Sequence, residues 1–494
     1  DGSNPISGEL ISTLITAEAS DTMSRYTEKI DNSGANYPVL TDGLIPVVYD
    51  ETTSKWFKAD VTSSTSTYGW YDYDQKKWAN AVLVTSTNRN TYQSAVAGTT
   101  IADADILAFY VWIPRYKYKV WNMSKQIGNS TYDAYNTGID IVFEDGTSST
   151  GTISCTYTYN VNPSAGGINL ENELAENCTD SSSTRYYTHP AFTFGNQELA
   201  GFWMGKFELS SSNPSTGTSY GGGNTTSLTP RIIPNVTSWR NNTLSNFWKV
   251  IYDMQMSDNI YGLPPSRTNT DSHMITNMEW GAVAYLTNSK YGRCTNESCT
   301  KVSINGAWDN SDGGSKYSTY YTTKTGCGPI ASGSTSYGTT CNAYNTTLGQ
   351  TASTTGNIHG VYDMSGGALE SVMSKVSSSS GTTFTYYASD AGTNFTYSAN
   401  TAKYLTTYAY GTADRDQTAY NRGRLGDATS EVVLSEESGW YNNSAIFPYI
   451  DYFSWFARGG AFSNSSLAGP FRFDYYTGAN DSYISSRAVF AAWS

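Results

Sequence analysis

Alternating and continuous runs of apolar residues, broken by polar turns, predict β-hairpins in the chain beyond residue 40. Leu44–Tyr49 and Lys55–Ala59 have the pattern of two strands joined by a polar turn. In the next segment Trp70 and Trp78 flank a tight turn, and Ala81–Val84 has the composition of a buried strand. Large aromatic side chains beside hairpin turns typically anchor a hydrophobic core, so we expect both tryptophans to be buried.

The run from Phe109 to Trp121 alternates apolar positions with basic or aromatic ones, which predicts a half-exposed strand. Its cations Arg115, Lys117 and Lys119 would then share one face of the strand. We interpret them as offsetting part of the negative charge of the protein. Contact with an acidic ligand is the alternative.

Residues 1–40 have a different character, and we interpret them as an N-terminal arm. Apolar residues recur there at helical spacing, and they are Ile6, Leu10, Ile11, Leu14 and Ile15. The same stretch has enough Ile, Leu and Thr to form a strand. Two roles stay open: an amphipathic helix packed on its own domain, or an assembly segment that docks onto a neighbouring subunit and builds a homo-oligomer or polymer.

The composition favours a β-rich chain of the α+β class. Of the 494 residues 15% are charged and 14% are aromatic, and the 40 tyrosines outnumber the 17 phenylalanines. A tyrosine can lie half-buried in a sheet or at a contact surface, because its ring is apolar and its tip is polar. Much of the remainder is Ser, Thr, Asn and Gly, which favour turns and edge strands over long helices.

The charge balance and the apolar runs limit the partners. A formal charge of −13 and a sequence pI near 4.7 repel the phosphates of nucleic acids, so we predict no nucleic acid partner. No apolar run reaches the roughly 18 residues that a membrane helix needs, so we predict no membrane span. The chain starts at Asp1 without a basic segment and an apolar run, and we expect that a leader or pro-segment has been removed.

The 6 cysteines fall into couples that are close in sequence. We predict the disulfides Cys155–Cys178, Cys294–Cys299 and Cys327–Cys341. No couple has C-x-x-C spacing and the 3 histidines are far apart in sequence, so disulfides in an oxidising, extracellular compartment are favoured over a zinc site. Asn-x-Ser/Thr triplets permit N-glycosylation; examples begin at Asn122, Asn224, Asn235, Asn345 and Asn394.

Four segments in the second part of the chain form an ordered set of motifs. They are Gly201–Ser210, Ile275–Asn288, Gly356–Met373 and Ala457–Ala492. In this order they resemble the formylglycine-generating-enzyme type of C-type-lectin fold. The residues at matching positions are Glu208, Trp280, Ala284, Tyr285, Asn357, Gly360, Tyr362, Asp363, Met364, Gly366, Glu370, Arg458, Gly459, Gly460, Arg472 and Arg487.

The resemblance implies a C-type-lectin-like domain with disulfide-pinned insertions over residues 201–494. It would follow the arm at 1–40 and a hairpin-rich leading region at 41–200. The same type of fold carries the variable ligand-binding faces of phage and bacterial proteins diversified by retroelements, and the C-terminal segment resembles that subgroup. The stretch from Val48 to Trp121 is similar to leading regions of surface proteins from Gram-positive gut bacteria and their phages.

Several of the matching residues have a structural interpretation. Gly366 suits a turn that needs a positive φ. Arg458 and Arg487 near the closing strands are expected to form bidentate pairs with carboxylates, and the expected partners are Asp363 and Glu370. Contact with a ligand is the alternative.

In formylglycine-generating enzymes a copper-binding cysteine pair follows the Arg-Gly-Gly motif. Here that region reads FSNSSLAGPF, and no cysteine follows Cys341. Hydroxyl and amide groups do not replace thiolates as soft copper ligands. We therefore predict no catalytic residues and no oxidase activity, and other catalytic motifs are not found in the sequence.

The histidines and one acidic turn are further candidate sites. His189 precedes Pro190, which favours a capping role over that of a base, and His359 is expected in a solvated turn. Asp309 and Asp312 stand in a Gly-rich turn with oxygen ligands that weakly resembles a calcium-binding loop. Calcium is therefore the one candidate cofactor. Otherwise we predict no metal and no cofactor.

Together these observations predict a non-catalytic extracellular protein on the surface of a cell or virion, with a glycan or protein ligand. The expected ligand-binding residues are Asn464, Ser465, Ser466, Asp474, Tyr475, Tyr476, Asn480 and Tyr483. Antibody paratopes use Tyr, Ser and Asn in the same way; a merely solvated loop is the alternative. A structural subunit of an extracellular filament or shell is the second hypothesis, and an oxidase of the parent family is a remote third.

Overall fold

Short strands account for most of the regular structure of the protein. The computed structural model describes residues 29–119, 138–151, 161–162, 167–168, 186–214, 220–295, 298–309, 322–376, 392–408, 424–435, 438–448 and 453–493. Within these stretches the predicted β-rich class is confirmed.

The strands are numbered in chain order. The first are β1 (Ile45–Asp50), β2 (Lys55–Lys58), β3 (Asn80–Val84), β4 (Thr100–Ile101), β5 (Ile106–Pro114), β6 (Tyr116–Lys119), β7 (Ile141–Phe143), β8 (Val161–Asn162), β9 (Gly167–Ile168), β10 (Tyr186–Thr188), β11 (Thr193–Phe194) and β12 (Gln197–Glu198). The others are β13 (Gly201–Gly205), β14 (Ser210–Ser211), β15 (Pro230–Arg231), β16 (Thr270–Met274), β17 (Trp308–Asp309), β18 (Thr322–Thr323), β19 (Leu369–Val376), β20 (Thr406–Tyr408), β21 (Val433–Ser435), β22 (Ser438–Gly439), β23 (Trp455–Gly459), β24 (Gly469–Tyr476), β25 (Ile484–Ser486) and β26 (Ala488–Ala492).

The α-helices among the described residues are short. They are α1 (Ser86–Ser94), α2 (Leu244–Tyr252), α3 (Asn277–Thr287) and α4 (Thr347–Gln350). A capping box starts α3, in which the Glu279 carboxylate accepts from the backbone N–H of Thr276 at 2.8 Å. This helix lies within the matching segment Ile275–Asn288. In the part of the chain that the structure describes, no helix has both the length and the apolar character to cross a bilayer.

The largest sheet joins strands from both parts of the chain. Its 8 strands are antiparallel neighbours in the order β16-β26-β13-β5-β3-β1-β2-β4. The hairpin predicted from the first apolar runs is present as β1 and β2, with Val47 opposite Lys58. Because β13 pairs with β5, the predicted boundary at residue 200 falls inside one continuous sheet. That boundary therefore divides the sequence but not the sheet.

The tryptophans beside the second predicted turn anchor the core. Trp70 and Trp78 are fully buried. Their indole N–H groups donate to the carbonyls of Asn80 and Tyr291, each at 2.8 Å. The prediction that these aromatic side chains support a core is confirmed.

The strand that was expected to be half-exposed is buried. Every residue of β5 is buried, because β3 and β13 flank it and both of its faces are covered. Alternation begins only in β6, where Lys117 and Lys119 are half-buried. Arg115 is not exposed with these lysines: it is fully buried and pairs with Glu144 at 3.0 Å and Glu198 at 2.8 Å. Arg115 thus offsets negative charge, but the expected exposed face with three cations is wrong.

A second sheet carries parts of two of the four matching segments, Gly356–Met373 and Ala457–Ala492. Its strands lie in the order β20-β19-β23-β24, and β25 also pairs with β19. Glu370 on β19 lies opposite Arg458 on β23. The Asp-Met-Ser-Gly and Arg-Gly-Gly segments are therefore neighbours in space, although about 90 residues separate them in the sequence.

The last part of the predicted arm is packed into the core. Residues 35–39 are buried, and the Trp203 indole donates to the carbonyl of Val39 at 2.7 Å. An arm that is separate from the folded body is therefore limited to residues 1–28. The proposed assembly residues lie outside the described residues; they are Ile6, Leu10, Ile11, Leu14 and Ile15. Their role stays a prediction.

Two of the three predicted disulfides are confirmed. Cys294 is bonded to Cys299 and Cys327 to Cys341. The third predicted pair, Cys155–Cys178, lies outside the described residues. The confirmed bonds close loops in the stretch between α3 and the turn that carries Asp363, where a Gly/Ser-rich insertion was expected.

Candidate ligand-binding surface

The carboxylates of the matching segments lie in a buried hydrogen-bonded cluster. Asp363 accepts from the backbone N–H of Gly326 at 2.9 Å and from Asn305 Nδ2 at 2.8 Å. Glu208 accepts from the backbone N–H of Ala368 at 2.9 Å. Burial raises the pKa of both carboxyl groups. Protein N–H donors already face these oxygens, so the cluster stabilises the fold and leaves little room for a substrate.

Arg487 forms the predicted bidentate pair with Glu370. Its Nε donates to one carboxylate oxygen at 2.8 Å, and a second guanidinium nitrogen donates to the other oxygen. The remaining N–H groups reach the carbonyls of Gly205 and Tyr362, each at 2.8 Å. Burial raises the pKa of Glu370 to about 7, although the charge of Arg487 opposes this change. The structural interpretation of this pair is confirmed.

Arg458 does not form the carboxylate pair that was predicted for it. Its buried guanidinium donates to Asn277 Oδ1 at 3.0 Å and to the carbonyl of Asp427 at 3.1 Å. Glu370 lies directly across the strand pair, but Arg487 already occupies that carboxylate. Arg458 therefore stabilises backbone carbonyls between elements, and among the described residues it forms no ion pair. Burial lowers the pKa of Arg458, and the charge of Asp427 opposes this effect.

The glycines of these segments have the backbone geometry that their sequence predicts. Gly366, Gly459 and Gly460 have φ angles of 81°, 79° and 85°. A Cβ on Gly366 would lie 2.4 Å from the carbonyl oxygen of Asn305, so any larger residue would be both strained and too close. The predicted positive-φ turn at Gly366 is confirmed.

Lys206 is a buried cation that the sequence reasoning did not single out. Its ammonium group donates to Asn80 Oδ1 at 2.8 Å and to the carbonyls of Ile358 and Gly360 at 2.6 and 2.9 Å. These acceptors match the three N–H donors of an ammonium group. Burial lowers the pKa of Lys206 well below its usual value. The contact ties β3 of the leading region to the turn that precedes Asp363.

Two histidines that were candidate sites are packed within the protein. His189 Nδ1 accepts from the backbone N–H of Ala191 at 3.2 Å, and burial lowers the pKa of His189 to about 3. Its capping role is confirmed, although it caps the helical turn Pro190–Phe192 and not a strand. His359 is half-buried, and burial lowers its pKa. The expectation that it is a solvated turn residue is wrong.

A charge cluster around Asp271 was missed by the sequence reasoning. His273 lies between Asp271, at 3.3 Å, and Glu279, at 2.8 Å. Burial lowers the pKa of His273, but the charges of Glu279 and Asp271 outweigh burial and raise it to about 9. Lys403 also pairs with Asp271 at 3.0 Å. The alternation of Asp271 and His273 along one strand was the available signal, since residues two apart point to the same face.

A groove of about 380 Å³ lies beside this cluster, and Phe194, Met278, Lys403 and Leu405 are among its lining residues. The Lys403 ammonium lies 4.6 Å from the centre of the Phe194 ring and is bound to Asp271. Its charge is therefore already compensated. This makes the groove a weak candidate for ligand binding.

The predicted ligand-binding residues fall at the two ends of β24, and the structure does not bring them together. Asn464, Ser465 and Ser466 precede this strand. Asn464 Oδ1 accepts from the backbone N–H of Ala461 at 2.7 Å, and Lys301 donates to the carbonyl of Ser466 at 2.5 Å. This end is a turn held by its own hydrogen bonds.

The other predicted residues lie at and beyond the end of β24. Asp474 pairs with Arg472 at 2.7 Å, and the Tyr475 ring packs edge-on against Phe453 at 4.9 Å. Tyr476 is buried, and its hydroxyl donates to a nearby backbone carbonyl. Its predicted role in ligand contact is therefore wrong. Two further members are at the surface: Asn480, which is exposed, and Tyr483, which is half-buried.

Asn480 belongs to a band of asparagine side chains, which we call the carboxamide surface. Its members are Asn224, Asn241, Asn242, Asn246, Asn394 and Asn480. Their hydrogen bonds form two groups, Asn241 with Asn480 and Asn246 with its three partners. The band forms where the loop after β24 packs on the residues that start α2. The backbone N–H of Asn241 donates to the carbonyl of Asp481 at 2.9 Å, and that of Leu244 donates to the carbonyl of Gly478 at 3.0 Å.

Hydrogen bonds between carboxamides fix the geometry of this surface. Asn246 is the central member: its Nδ2 donates to Asn224 Oδ1 and to Asn242 Oδ1, each at 2.9 Å. Its Oδ1 accepts from Asn394 Nδ2 at 2.5 Å. Asn480 Nδ2 donates to Asn241 Oδ1 at 3.2 Å. The side chains are therefore ordered by one another before any ligand arrives.

Several polar atoms of the carboxamide surface have no protein partner within the described stretches. They are the Nδ2 atoms of Asn224 and Asn241 and the Oδ1 atoms of Asn394 and Asn480. Asn224, Asn394 and Asn480 are exposed. The surface thus presents both donors and acceptors to the solvent.

Part of this surface had a signal in the sequence. Asn246 lies in the first turn of α2 and Asn242 directly precedes the N-cap Thr243, so the apolar, helix-forming run that follows them in the sequence places both near one helix start. Asn224 and Asn394 had none, because each joins the band across a long separation in the chain. The sequence therefore identified Asn480 but not its neighbours.

A calcium site is not supported by the described residues. The side chains of Asp309 and Asp312 lie outside them. Within the described stretches, no group of three or more His, Cys, Asp and Glu side chains is placed to hold a metal ion. Calcium binding stays a prediction that chelator-dependent melting tests.

Comparison with protein-family models and with curated proteins finds no match for this chain. The functional interpretation therefore rests on the residues and on the geometry described above.

Proposed function

We propose that the protein is a non-catalytic surface protein that binds a ligand through the carboxamide surface. The observation that supports this most is the set of exposed asparagine side chains that are fixed by mutual hydrogen bonds and still offer free donors and acceptors. An exposed asparagine is usually mobile, and ordering it on binding costs free energy. Here that cost is already met within the folded protein.

A C-type-lectin-like fold of the formylglycine-generating-enzyme type is part of this proposal. Its support is the resemblance of four ordered segments and the proximity of two of them, in which Glu370 lies opposite Arg458. The bidentate pair between Arg487 and Glu370 also fits the structural role that the resemblance implies.

Binding is favoured over oxidase chemistry because of the residues that stand where the related enzymes carry thiols. The segment Phe462–Leu467 contains serine and asparagine there. Neutral oxygen and amide ligands are poor substitutes for thiolates on copper. The buried carboxylates of the matching segments are occupied by protein donors, which supports a scaffold role for them.

An extracellular location on a cell or virion is proposed from the cysteines. The bonds Cys294–Cys299 and Cys327–Cys341 are of a kind that persists in oxidising compartments. Assembly into a filament or shell through residues 1–28 is an alternative that electron microscopy of the native particle tests.

The binding proposal is tested with fluorescently labelled protein on fixed epithelial and bacterial cells. We expect the wild type to bind at least one cell type, and the Asn246→Ala, Asn480→Ala double variant to bind at least tenfold less. Asn90→Ala is the matched control, because Asn90 is an exposed asparagine on α1 outside the surface. No binding by the wild type, or equal binding by the double variant, contradicts the proposal.

A further inference from the structure

We infer that the ligand of the carboxamide surface is a neutral carbohydrate, bound directly by the asparagine side chains. This inference rests on the proposed function, because it names the class of ligand that the same surface binds. Three properties of the surface support it: the mixture of donors and acceptors, the rigidity of the side chains, and the sign of the surrounding charge.

The hydrogen-bonding groups of the surface match those of a sugar. Each sugar hydroxyl both donates and accepts, and an acetamido group has the same two functions as a carboxamide. The free Nδ2 atoms of Asn224 and Asn241 can donate to such groups, and the free Oδ1 atoms of Asn394 and Asn480 can accept from them. A mixture of free donors and acceptors is suited to a ligand that carries several hydroxyls.

Rigidity favours a ligand that forms many weak polar contacts. Ordering a side chain on binding costs about 0.5–1.5 kcal/mol, which cancels much of the gain from one hydrogen bond to a neutral partner. Asn246 holds Asn224, Asn242 and Asn394 in place before binding. Each bond to a sugar hydroxyl can then contribute to affinity.

The charge around the surface disfavours acidic sugars. The protein has a formal charge of −13, and Asp481, which follows Asn480, is exposed. The cations nearest to the band in the sequence are already engaged: Arg240 is fully buried and donates to the carbonyl of Ser482, and the Lys249 ammonium is paired with Asp253 at 2.5 Å. A sialylated or sulfated glycan would therefore meet net repulsion.

The surface also differs from the centre of a typical protein interface. Such interfaces are anchored by buried aromatic or arginine side chains that insert into apolar pockets. The members of the carboxamide surface are all asparagines. This composition suits a ligand rich in hydroxyl groups better than a protein partner.

The test uses the full chain on an array of neutral oligosaccharides of hexoses and N-acetylhexosamines, with sialylated and sulfated counterparts. We expect binding to neutral glycans that persists in EDTA, weakens at least tenfold in Asn246→Ala, and is unchanged in Asn90→Ala. On cells, periodate oxidation of glycans should abolish binding, whereas protease treatment should leave most of it.

A second control separates ligand binding from glycosylation of the surface itself. Asn224, Asn241, Asn394 and Asn480 each start an Asn-x-Ser/Thr triplet. Protein produced in a host that attaches no N-glycans keeps all four carboxamides unmodified. It should bind neutral glycans as protein from a glycosylating host does. Loss of binding in the unglycosylated protein would show that an attached glycan, not the carboxamides, forms the contact, and would overturn the inference.

The outcomes distinguish the ligand class from the proposed function. Cell binding that is sensitive to Asn246→Ala but resistant to periodate and lost with protease contradicts a carbohydrate ligand and leaves a ligand-binding surface in place. Preference for sialylated over neutral glycans contradicts the charge argument in the same way. Cell binding that is insensitive to Asn246→Ala contradicts both proposals.

Discussion

The protein uses polar side chains in two contrasting ways, in a buried cluster and on an exposed surface. In the buried cluster Glu208, Asp363 and Glu370 face N–H donors of the protein. On the carboxamide surface Asn224 and Asn394 are also held by hydrogen bonds but keep unpaired atoms toward the solvent. The first arrangement stabilises a fold, because each buried carboxyl group is hydrogen-bonded within the protein. The second is available to a ligand, because its hydrogen-bonding capacity is not used up.

The comparison also shows that the residues on which the resemblance to an enzyme family rests are not the residues best placed to contact a ligand. Glu370, Arg458 and Arg487 are fully buried. The exposed asparagines are not among the matching residues. Asn480 alone of them lies within a matching segment, Ala457–Ala492. Mutations in the two regions should therefore separate stability from binding, with large losses of stability in the buried cluster and small ones on the exposed surface.

The largest effect is expected from Arg487→Met in the buried cluster. Removal of the guanidinium leaves the buried Glu370 carboxylate uncompensated, and it also leaves the carbonyls of Gly205 and Tyr362 without donors. Loss of one partner of a buried ion pair typically costs about 3–5 kcal/mol of the free energy of unfolding. Urea denaturation followed by tryptophan fluorescence measures it.

A compensating change sharpens this prediction. Glu370→Leu combined with Arg487→Met removes both charges, so the double variant should be more stable than Arg487→Met alone. If the free energy of unfolding of Arg487→Met were within about 1 kcal/mol of the wild-type value, a stabilising role for the buried cluster would be contradicted.

A smaller loss is expected from Lys206→Met, which tests whether the leading region and the matching segments fold as one unit. The substitution leaves Asn80 Oδ1 and the carbonyls of Ile358 and Gly360 without their donor. Each buried acceptor without a donor lowers the free energy of unfolding by about 1–3 kcal/mol. Part of this loss is offset, because the variant no longer buries an ammonium group. We expect a loss of about 2–3 kcal/mol in a single cooperative transition.

The matched control for Lys206→Met is Lys117→Met on β6. The Lys117 ammonium is exposed and donates to one carbonyl at 3.1 Å. Its replacement should change the free energy of unfolding by less than about 0.5 kcal/mol. Two separate transitions in Lys206→Met, with only one of them shifted, would show that the regions on either side of residue 200 unfold independently.

The pH dependence of stability provides a third test of the contrast. Burial raises the pKa of Glu431 from 4.5 to about 8. A raised carboxyl pKa means that the folded protein binds the proton more tightly than the unfolded chain does. The stabilisation is therefore complete below pH 4.5 and is lost as the pH rises toward 8. Each tenfold difference in proton affinity between the folded and unfolded states corresponds to about 1.4 kcal/mol of the free energy of unfolding.

We expect thermal melting temperatures to fall between pH 5 and pH 8 in the wild type and to fall less in Glu431→Gln. Glu370, whose pKa is raised to about 7, contributes in the same direction. Carboxamides do not titrate, so ligand binding by the carboxamide surface should be constant over that range wherever the protein stays folded. Identical melting profiles of the two proteins would exclude Glu431 as a source of the effect.

Local patterns were sufficient to predict much of the fold. The hairpin of β1 and β2 and the burial of Trp70 and Trp78 each depend on residues that are close in sequence. Such elements follow from periodicity and turn chemistry, which are properties of a short window. The close sequence spacing of Cys294 with Cys299 and of Cys327 with Cys341 was informative for the same reason.

Partner choice over long separations was not predictable in the same way. Of Arg115 and Arg458, only Arg115 forms ion pairs, with Glu144 and Glu198. Which of two arginines reaches Glu370 depends on the register of β19 with β23 and on the position of β25. The carboxamide surface depends likewise on where a loop packs against α2, so only Asn480 could be proposed from the sequence.

The smallest change in stability is expected from Asn246→Asp, which should nevertheless affect binding strongly. The carboxylate keeps the shape of the side chain and can accept from Asn394 Nδ2, but it cannot donate to the Oδ1 atoms of Asn224 and Asn242. Residue 246 lies in the first turn of α2, where a negative charge interacts favourably with the helix dipole by about 0.3–1 kcal/mol. This gain offsets the lost bonds between carboxamides.

We therefore expect the free energy of unfolding of Asn246→Asp to stay within about 0.5 kcal/mol of the wild type, while binding falls at least tenfold. Urea denaturation and glycan-array titration of the same preparation measure the two quantities. If the free energy of unfolding falls in proportion to binding, the carboxamides stabilise the fold, as the buried carboxylates do. Unchanged values of both would mean that Asn246 does not order the surface, since the isosteric carboxylate removes its donors and little else.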